Sequence, residues 1–181
     1  MDILDDLGRT RTALLDTIAG LDEDTLERKG LVGDWSIKNV LAHIAAWEAW
    51  VVQALPARLT SGETPAELRA RIADEDRYNA EEVGEREELT PSEQLIELER
   101  TRAALLDELR GLDAATWERR GPWSTWQGTL AEYLRESIIG HEEEHISDLR
   151  TAVGRVKVKG KGKRGEYKRV KLSPVHPLTR S

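Results

Sequence analysis

The chain repeats part of its own sequence, and this repeat limits the folds that it can adopt. Between residues 9–30 and 100–121, an offset of 91, 14 of the 22 positions are identical. The shared positions include loop residues as well as apolar ones, which two unrelated Leu-rich helices would not share. We therefore predict two copies of one unit, each a helix followed by a loop and a second helix.

The spacing of apolar residues predicts four main helices in these two units. They cover about residues 3–21, 36–54, 90–112 and 129–153. The second helix is expected to end before Pro56, because proline disrupts a helix interior. Thr90 and Thr129 each have a glutamate three residues later, which is the pattern of a capping box at a helix start. Two such hairpins predict an all-α four-helix bundle with an approximate twofold axis.

A charged crossover joins the two hairpins, and a basic segment follows the second. We predict a surface helix within residues 66–88 of the crossover. Residues 1–153 are expected to form the bundle, and residues 154–181 a basic tail that is disordered or forms a short hairpin. From Arg155 onward there are ten Lys and Arg residues and one acid, a balance of +9, so residues 1–154 carry −7 − 9 = −16. Such an acidic body is not expected to bind nucleic acid, and the tail is the only candidate contact.

Composition and apolar run length exclude several classes of protein. The chain has no cysteine, so disulfides, thiolate metal sites and a cysteine nucleophile are excluded. The acidic N-terminus lacks the pattern of a signal peptide. No apolar run reaches the roughly 20 residues that span a bilayer. We therefore expect a cytoplasmic protein with no membrane association.

Three of the four histidines lie in two helices that should be neighbours. His141 and His145 are four residues apart and share one face of the fourth helix. His43 lies in the apolar second helix, whereas His176 lies in the Pro-rich tail. The repeat brings the second and fourth helices into equivalent places, so these three can face one another. Imidazoles bind zinc, nickel or iron(II), and a three-histidine set is typical of catalytic sites. We predict a divalent metal on His43, His141 and His145.

Other interpretations of these residues stay open from sequence alone. His43 can be a core histidine, with the other two on a solvated face. The stretch from His141 to His145 also matches the His-Glu-x-x-His pattern of zinc proteases, with Glu142 as base, but the Gly-containing extension is absent. Glu142, Glu143 and Glu144 are expected to be solvated or to orient the imidazoles.

The tryptophans divide between the candidate site, the core and the loops. Trp47 lies one turn after His43 and is a possible wall of a substrate pocket, whereas Trp50 is expected in the core. The remaining four lie in or beside the loops and are expected to close the ends of the bundle: Trp35, Trp117, Trp123 and Trp126.

Residues 34–48, Asp-Trp-Ser-Ile-Lys-Asn-Val-Leu-Ala-His-Ile-Ala-Ala-Trp-Glu, resemble the DinB-like four-helix-bundle superfamily, and more narrowly its ClbS/DfsB-type branch. Asp76–Glu81 in the crossover and His141-x-x-x-His145-Ile146 support the likeness, which covers about residues 1–153. The resemblance implies that His43, His141 and His145 bind a divalent metal and that the protein is a homodimer. Relatives include thiol-dependent S-transferases, a mycothiol-dependent maleylpyruvate isomerase and a hydrolase that opens a strained ring.

Together with the three histidines, the resemblance implies a metal-dependent enzyme that acts on small electrophilic compounds, in detoxification or stress, by thiol transfer or by hydrolysis. Because the chain has no cysteine, the thiol must be a low-molecular-weight co-substrate. The alternative is a non-catalytic bundle that binds a ligand or a protein partner, with the basic tail as an interaction arm.

Overall fold

Side-chain caps begin each of the main helices of the bundle. Asp2, Ser36, Thr90 and Thr129 accept hydrogen bonds from backbone N–H groups of the first turn. The last three belong to complete capping boxes, in which the third helical residue returns a hydrogen bond to the cap. These caps confirm the two starts predicted at Thr90 and Thr129.

The structure is a computed structural model that describes residues 2–121, 123 and 127–160, with side chains as far as residue 156. A π-helical segment, Arg135–Gly140, joins the last two helices into one continuous rod. The helices are α1 (Ile3–Ile18), α2 (Glu23–Glu27), α3 (Ile37–Ser61), α4 (Ala66–Arg71), α5 (Glu75–Glu85), α6 (Pro91–Arg110), α7 (Ala114–Glu118), α8 (Leu130–Leu134) and α9 (His141–Gly160). In this part of the chain, extended pairing is limited to isolated bridges.

The four long rods are α1, α3, α6 and the α8–α9 rod, and they form the predicted bundle. Lys38 at the start of α3 donates to the carbonyl oxygen of Leu89 at 2.8 Å, and Arg102 well along α6 pairs with Glu48. The two helices therefore run parallel. Helices α1 and α9 also pack together and run parallel, which gives the up-down-down-up connectivity. Leucines from all four rods fill the centre, among them Leu7, Leu14, Leu41, Leu98, Leu105 and Leu149.

The predicted end of the second helix before Pro56 is wrong. Helix α3 continues through Pro56 to Ser61 and ends at Gly62, whose φ of 79° is readily adopted only by glycine. Proline removes one backbone hydrogen bond, but Leu55 and Arg58 on either side of it are buried and keep the last turns packed. The packing of these two side chains outweighs the lost bond.

Two short helices lie in the loops that follow the first helix of each unit. Asp22 and Asp113, which are 91 residues apart, cap α2 and α7 by accepting from the N–H of Thr25 and Thr116. The crossover contains two short helices, α4 and α5; α5 packs on α3, and Trp50 of α3 donates to the carbonyl oxygen of Leu68 in α4 at 3.0 Å. In the described part of the chain, α3 alone is long and apolar enough to cross a membrane, but 67% of its most apolar window is buried, as in soluble core helices.

Helix α9 is described as far as Gly160, so it continues at least seven residues beyond the expected end near Val153. Residues 161–181 lie outside the described residues, and with them His176 and most of the predicted tail. Trp126 also lies outside them. The division into a bundle at 1–153 and a tail at 154–181 stays a prediction.

Candidate metal centre

His43, His141 and His145 converge between α3 and α9. The Nε2 atom of His141 lies 2.9 Å from Nε2 of His43 and 3.1 Å from Nε2 of His145. One nitrogen from each ring falls within a common span of 4.8 Å. The structure therefore brings together the three histidines that the sequence singled out.

The helices determine where each of these rings lies. His43 is in the most buried stretch of α3, where eleven consecutive residues from Ser36 onward include only buried positions, and it is 6% exposed. His141 and His145 lie on successive turns of α9, on the same face, and both are half-buried. The group is consequently enclosed on the α3 side and more open on the α9 side.

The π-helical segment sets the rotation of α9. Glu48 lies 12 residues after its cap at Ser36, whereas Glu142 lies 13 residues after its cap at Thr129. A π turn accommodates one extra residue without ending the helix. The extra residue in the π turn changes the rotation of α9 about its axis, and this rotation directs His141 and Glu142 to their positions in the bundle.

Burial keeps these imidazoles neutral. Loss of solvent, helped by the neighbouring His145 and His141, lowers the pKa of His43 to about 3, although the adjacent side chain of Asn79 acts in the opposite direction. Loss of solvent and His145 lower the pKa of His141 to about 4, and burial also lowers the pKa of His145. Neutral imidazole is the form that binds a metal, so all three can act as ligands at neutral pH.

The donor set fits one divalent ion. Tetrahedral zinc with bonds of about 2.0–2.1 Å needs its nitrogen ligands about 3.3 Å apart. The Nε2 separations of 2.9 and 3.1 Å are close to that value. Three converging lone pairs repel one another unless a proton or a cation lies between them. The Nδ1 atoms of His43 and His145 are buried and have no acceptor among the described residues. In this respect the group differs from most metal-bound histidines, which donate a hydrogen bond from the ring nitrogen that does not bind the metal.

Two tryptophans stand beside the histidines. The ring of Trp47 lies 6.4 Å from the rings of both His43 and His141, and Trp47 is half-buried; its role as a pocket wall stays a prediction. Trp50 is buried in the core. Trp35, expected at the end of the bundle, also packs against His43, with ring centroids 5.1 Å apart. The sequence feature that could have indicated this contact is the position of Trp35 just before the cap of α3, the helix that carries His43.

The expected roles for Glu142 are wrong. This glutamate is 0% exposed and is neither solvated nor hydrogen-bonded to an imidazole. It accepts from Arg11 Nε at 2.8 Å and from Arg102 Nη2 at 2.9 Å. Burial acts to raise the pKa of Glu142, but Arg102 and Arg11 outweigh it and the pKa lies below its usual value. A carboxylate held in this way cannot act as the base of a His-Glu-x-x-His site; Glu143 and Glu144 are exposed, as expected.

Glu48 completes a buried group of four charges with Arg11, Arg102 and Glu142, which we call the ion quartet. Glu48 pairs with Arg11 Nη2 at 2.9 Å and with Arg102 Nε. All four side chains are at most 5% exposed, and their formal charges cancel. The quartet adjoins the site in sequence, because Glu48 follows Trp47 and Glu142 follows His141. It fixes α3 and α9 on either side of the histidines.

Two surface grooves lie away from the three histidines, between α1 and α9. The larger, about 460 Å³, is between α1 and α9 and is lined by Ala13, Asp16, Thr17, Arg150, Val153 and Gly154. A second, about 270 Å³, continues along the same pair of helices. Neither contains a histidine of the candidate site.

A family model described as the DinB superfamily matches residues 6–149, which is well over half of the chain. The chain belongs to the DinB superfamily. No curated protein sequence matches this DinB protein.

Solved structures share the fold at low sequence identity. An uncharacterised protein from Escherichia coli UTI89 has a TM-score of 0.69 and 12% identity, with 86% of this chain and 92% of that one covered. YfiT from Bacillus subtilis, described as a probable metal-dependent hydrolase with an unusual four-helix bundle topology, has a TM-score of 0.60 and 18% identity, with 86% of each chain covered. The mycothiol-dependent maleylpyruvate isomerase has a TM-score of 0.63 and 17% identity, with 82% of this chain and 61% of that one covered. At these identities the likeness shows the fold alone.

Proposed function

We propose that this DinB protein is a divalent-metal-dependent enzyme that transfers a thiol to small electrophilic compounds or hydrolyses them. The observation that carries the proposal is the convergence of three neutral imidazoles, with Nε2 separations of 2.9 and 3.1 Å, between α3 and α9. His43, His141 and His145 would hold zinc, nickel or iron(II). The descriptions of YfiT as a probable metal-dependent hydrolase and of the isomerase as mycothiol-dependent support both versions of the chemistry.

Bound at these residues, a divalent ion lowers the pKa of a water or thiol ligand and so supplies a nucleophile near neutral pH. The histidines are neutral ligands, so they leave the positive charge of the site uncompensated and favour an anionic nucleophile. The rings of Trp35 and Trp47 offer apolar surface for the electrophile beside His43. Because no cysteine is present, the thiol is a small co-substrate such as mycothiol.

The proposal includes a cellular setting and an assembly. The enzyme would act in the cytoplasm, in detoxification or stress, and as a homodimer, as the family resemblance implies. The competing function is a non-catalytic bundle that binds a ligand or a protein partner, with the basic tail, residues 154–181, as an interaction arm.

A paired assay tests the catalytic proposal. Metal-loaded, tag-free protein is incubated with a fluorogenic electrophile such as monochlorobimane, with and without mycothiol, bacillithiol or glutathione. We expect thiol-dependent conjugation that is at least tenfold faster for the parent than for His43→Ala; thiol-independent loss of the electrophile would identify the hydrolase instead. Equal rates for parent and variant under every condition would contradict both versions and favour the binding module.

A further inference from the structure

Asn79 reaches the histidines from the crossover, a third element of the fold. Trp47 Nε1 donates a hydrogen bond to Asn79 Oδ1 at 2.8 Å. The preceding residue, Tyr78, is buried; its hydroxyl donates to the carbonyl oxygen of Ala46 at 3.1 Å, and its ring lies 5.0 Å from that of Trp47. Tyr78 and Asn79 therefore fasten α5 to α3 one turn beyond His43.

The contact with Trp47 determines which way the Asn79 amide faces. An indole N–H can only donate, so the atom that it meets must be the amide oxygen. The NH₂ group carries two further donors and lies on the other side of the amide from the indole, and the Asn79 side chain also interacts with His43. Asn79 is half-buried, whereas Tyr78 is 2% exposed. The amide is thus fixed in orientation and still accessible to a ligand.

Asn79 is also near the histidines themselves. Its hydrogen-bonding partner Trp47 has its ring 6.4 Å from those of His43 and His141. The Asn79 side chain is close enough to His43 to act on the pKa of that imidazole. An uncharged donor in this position can approach a bound molecule without competing for the metal, since an amide NH₂ group has no available lone pair.

We propose that Asn79 is a substrate-binding residue whose Nδ2–H donates a hydrogen bond to an oxygen atom of the electrophile beside the histidines. This inference rests on the proposed function and narrows its substrates to electrophiles that carry a carbonyl or carboxylate oxygen next to the reacting carbon. A preoriented donor stabilises such an oxygen more as negative charge develops on it. Trp47 holds the amide in place through Nε1–H and presents its ring to the apolar part of the substrate.

Ligand binding to the cobalt-loaded protein tests this role without requiring turnover. Tag-free protein loaded with Co²⁺ is titrated with acetohydroxamate, which carries a carbonyl oxygen, and with azide, which carries no oxygen, and visible absorption reports each Kd. Asn79→Leu removes the donors at similar volume, and Glu81→Gln, at an exposed position of the same helix, is the matched control.

We expect Asn79→Leu to weaken acetohydroxamate binding about tenfold, the effect of losing one hydrogen bond to a charged ligand, and to leave azide binding within about twofold. Trp47→Phe keeps an aromatic ring but removes the indole N–H that holds the amide, so it should give a smaller loss, about threefold, with the same selectivity. Glu81→Gln should change neither ligand. If Asn79→Leu proves unstable, Asn79→Ala gives the same comparison.

Unchanged acetohydroxamate binding in the Asn79 variants, or an equal loss for both ligands, would overturn the role of Asn79. A parent that binds Co²⁺ and both ligands but shows no turnover would contradict the proposed reaction and leave this inference standing. A parent that gives no cobalt absorption at all would remove the metal site, and with it both proposals.

Discussion

Arg11 and Arg102, which are 91 residues apart, make equivalent contacts with the two glutamates of the ion quartet from opposite sides of the bundle. Arg11 donates from Nε to Glu142 and from Nη2 to Glu48, whereas Arg102 donates from Nε to Glu48 and from Nη2 to Glu142. Arg11 Nη1 donates to the backbone oxygen of Leu98, and Arg102 Nη1 donates to that of Leu7. These two leucines are also 91 residues apart. The approximate twofold axis of the repeat therefore passes through the ion quartet.

This symmetry predicts the stability of four variants. Removing one member of a buried ion group leaves an uncompensated charge and costs about 3–5 kcal/mol. We expect Arg11→Met and Arg102→Met to destabilise the protein by similar amounts in urea unfolding, and Glu142→Gln to fall in the same range. Glu143→Gln, one residue away and exposed, should change the free energy of unfolding by less than about 0.5 kcal/mol. Unequal effects of the two arginines would show that the quartet is not symmetric in energy.

The π-helical segment predicts opposite outcomes for two glycines of the last rod. A Cβ at Gly140 would lie 3.3 Å from the backbone oxygen of Arg135, whereas a Cβ at Gly154 would meet nothing within 4 Å. Alanine is better than glycine in a helix by about 0.5–1 kcal/mol, so Gly154→Ala should stabilise the protein by about that amount.

Gly140→Ala should gain none of this stability and should be at least about 1 kcal/mol less stable than Gly154→Ala in the same thermal or urea unfolding experiment. Gly8→Ala, in α1 with no atom within 4 Å, is a second control. If Gly140→Ala stabilised the protein as much as Gly154→Ala, the π turn would relax at little cost and would not set the rotation of α9.

The repeat made the fold and the quartet predictable in part. It gave the two hairpins, the pairing of α3 with α9 and hence the facing histidines. Half of the quartet is visible in the repeat, because Arg11 and Arg102 are equivalent positions of the repeated stretch. The burial of an arginine, however, cannot be recognised from sequence without knowing its partners. The same applies to Glu142, whose place among three consecutive glutamates suggested a solvated face.

The site itself departs from the symmetry, which is why the repeat could not define it completely. Glu48 and Glu142 are equivalent positions of the two units, so the residues that precede them, Trp47 and His141, are equivalent as well. Only the second unit adds a histidine one turn later. The π turn that allows this equivalence has no sequence signature comparable to a cap. Asn79 lies in the crossover, outside the repeat, where no periodicity connects it with the histidines.

The lowered histidine pKa values predict how the metal-free protein responds to acid. The pKa of His43 falls from 6.5 to about 3 and that of His141 to about 4 because both are buried. Between the pKa of the unfolded state, 6.5, and the lower pKa values of the folded state, the unfolded chain binds more protons than the folded one. The contribution of the neutral histidines to the free energy of unfolding is therefore complete above pH 6.5 and is lost as the pH falls.

We expect the free energy of unfolding of the metal-free parent to decrease more between pH 7 and pH 5 than that of His43→Gln, which has no titrating group at this position. Urea unfolding at both pH values measures the difference, and the carboxylates contribute alike to the two proteins. Parallel losses would mean that His43 is protonated in the fold at pH 5 and is not held neutral.

The most direct measurement is elemental analysis of tag-free protein, purified without chelators, beside its His43→Ala variant. A polyhistidine tag must be absent because it would bind metal itself. If His43, His141 and His145 form one site, the parent should contain about one equivalent of zinc, nickel or iron, and the variant should have lost most of it. No metal in either protein after reconstitution, or equal metal in both, would contradict the three-histidine centre.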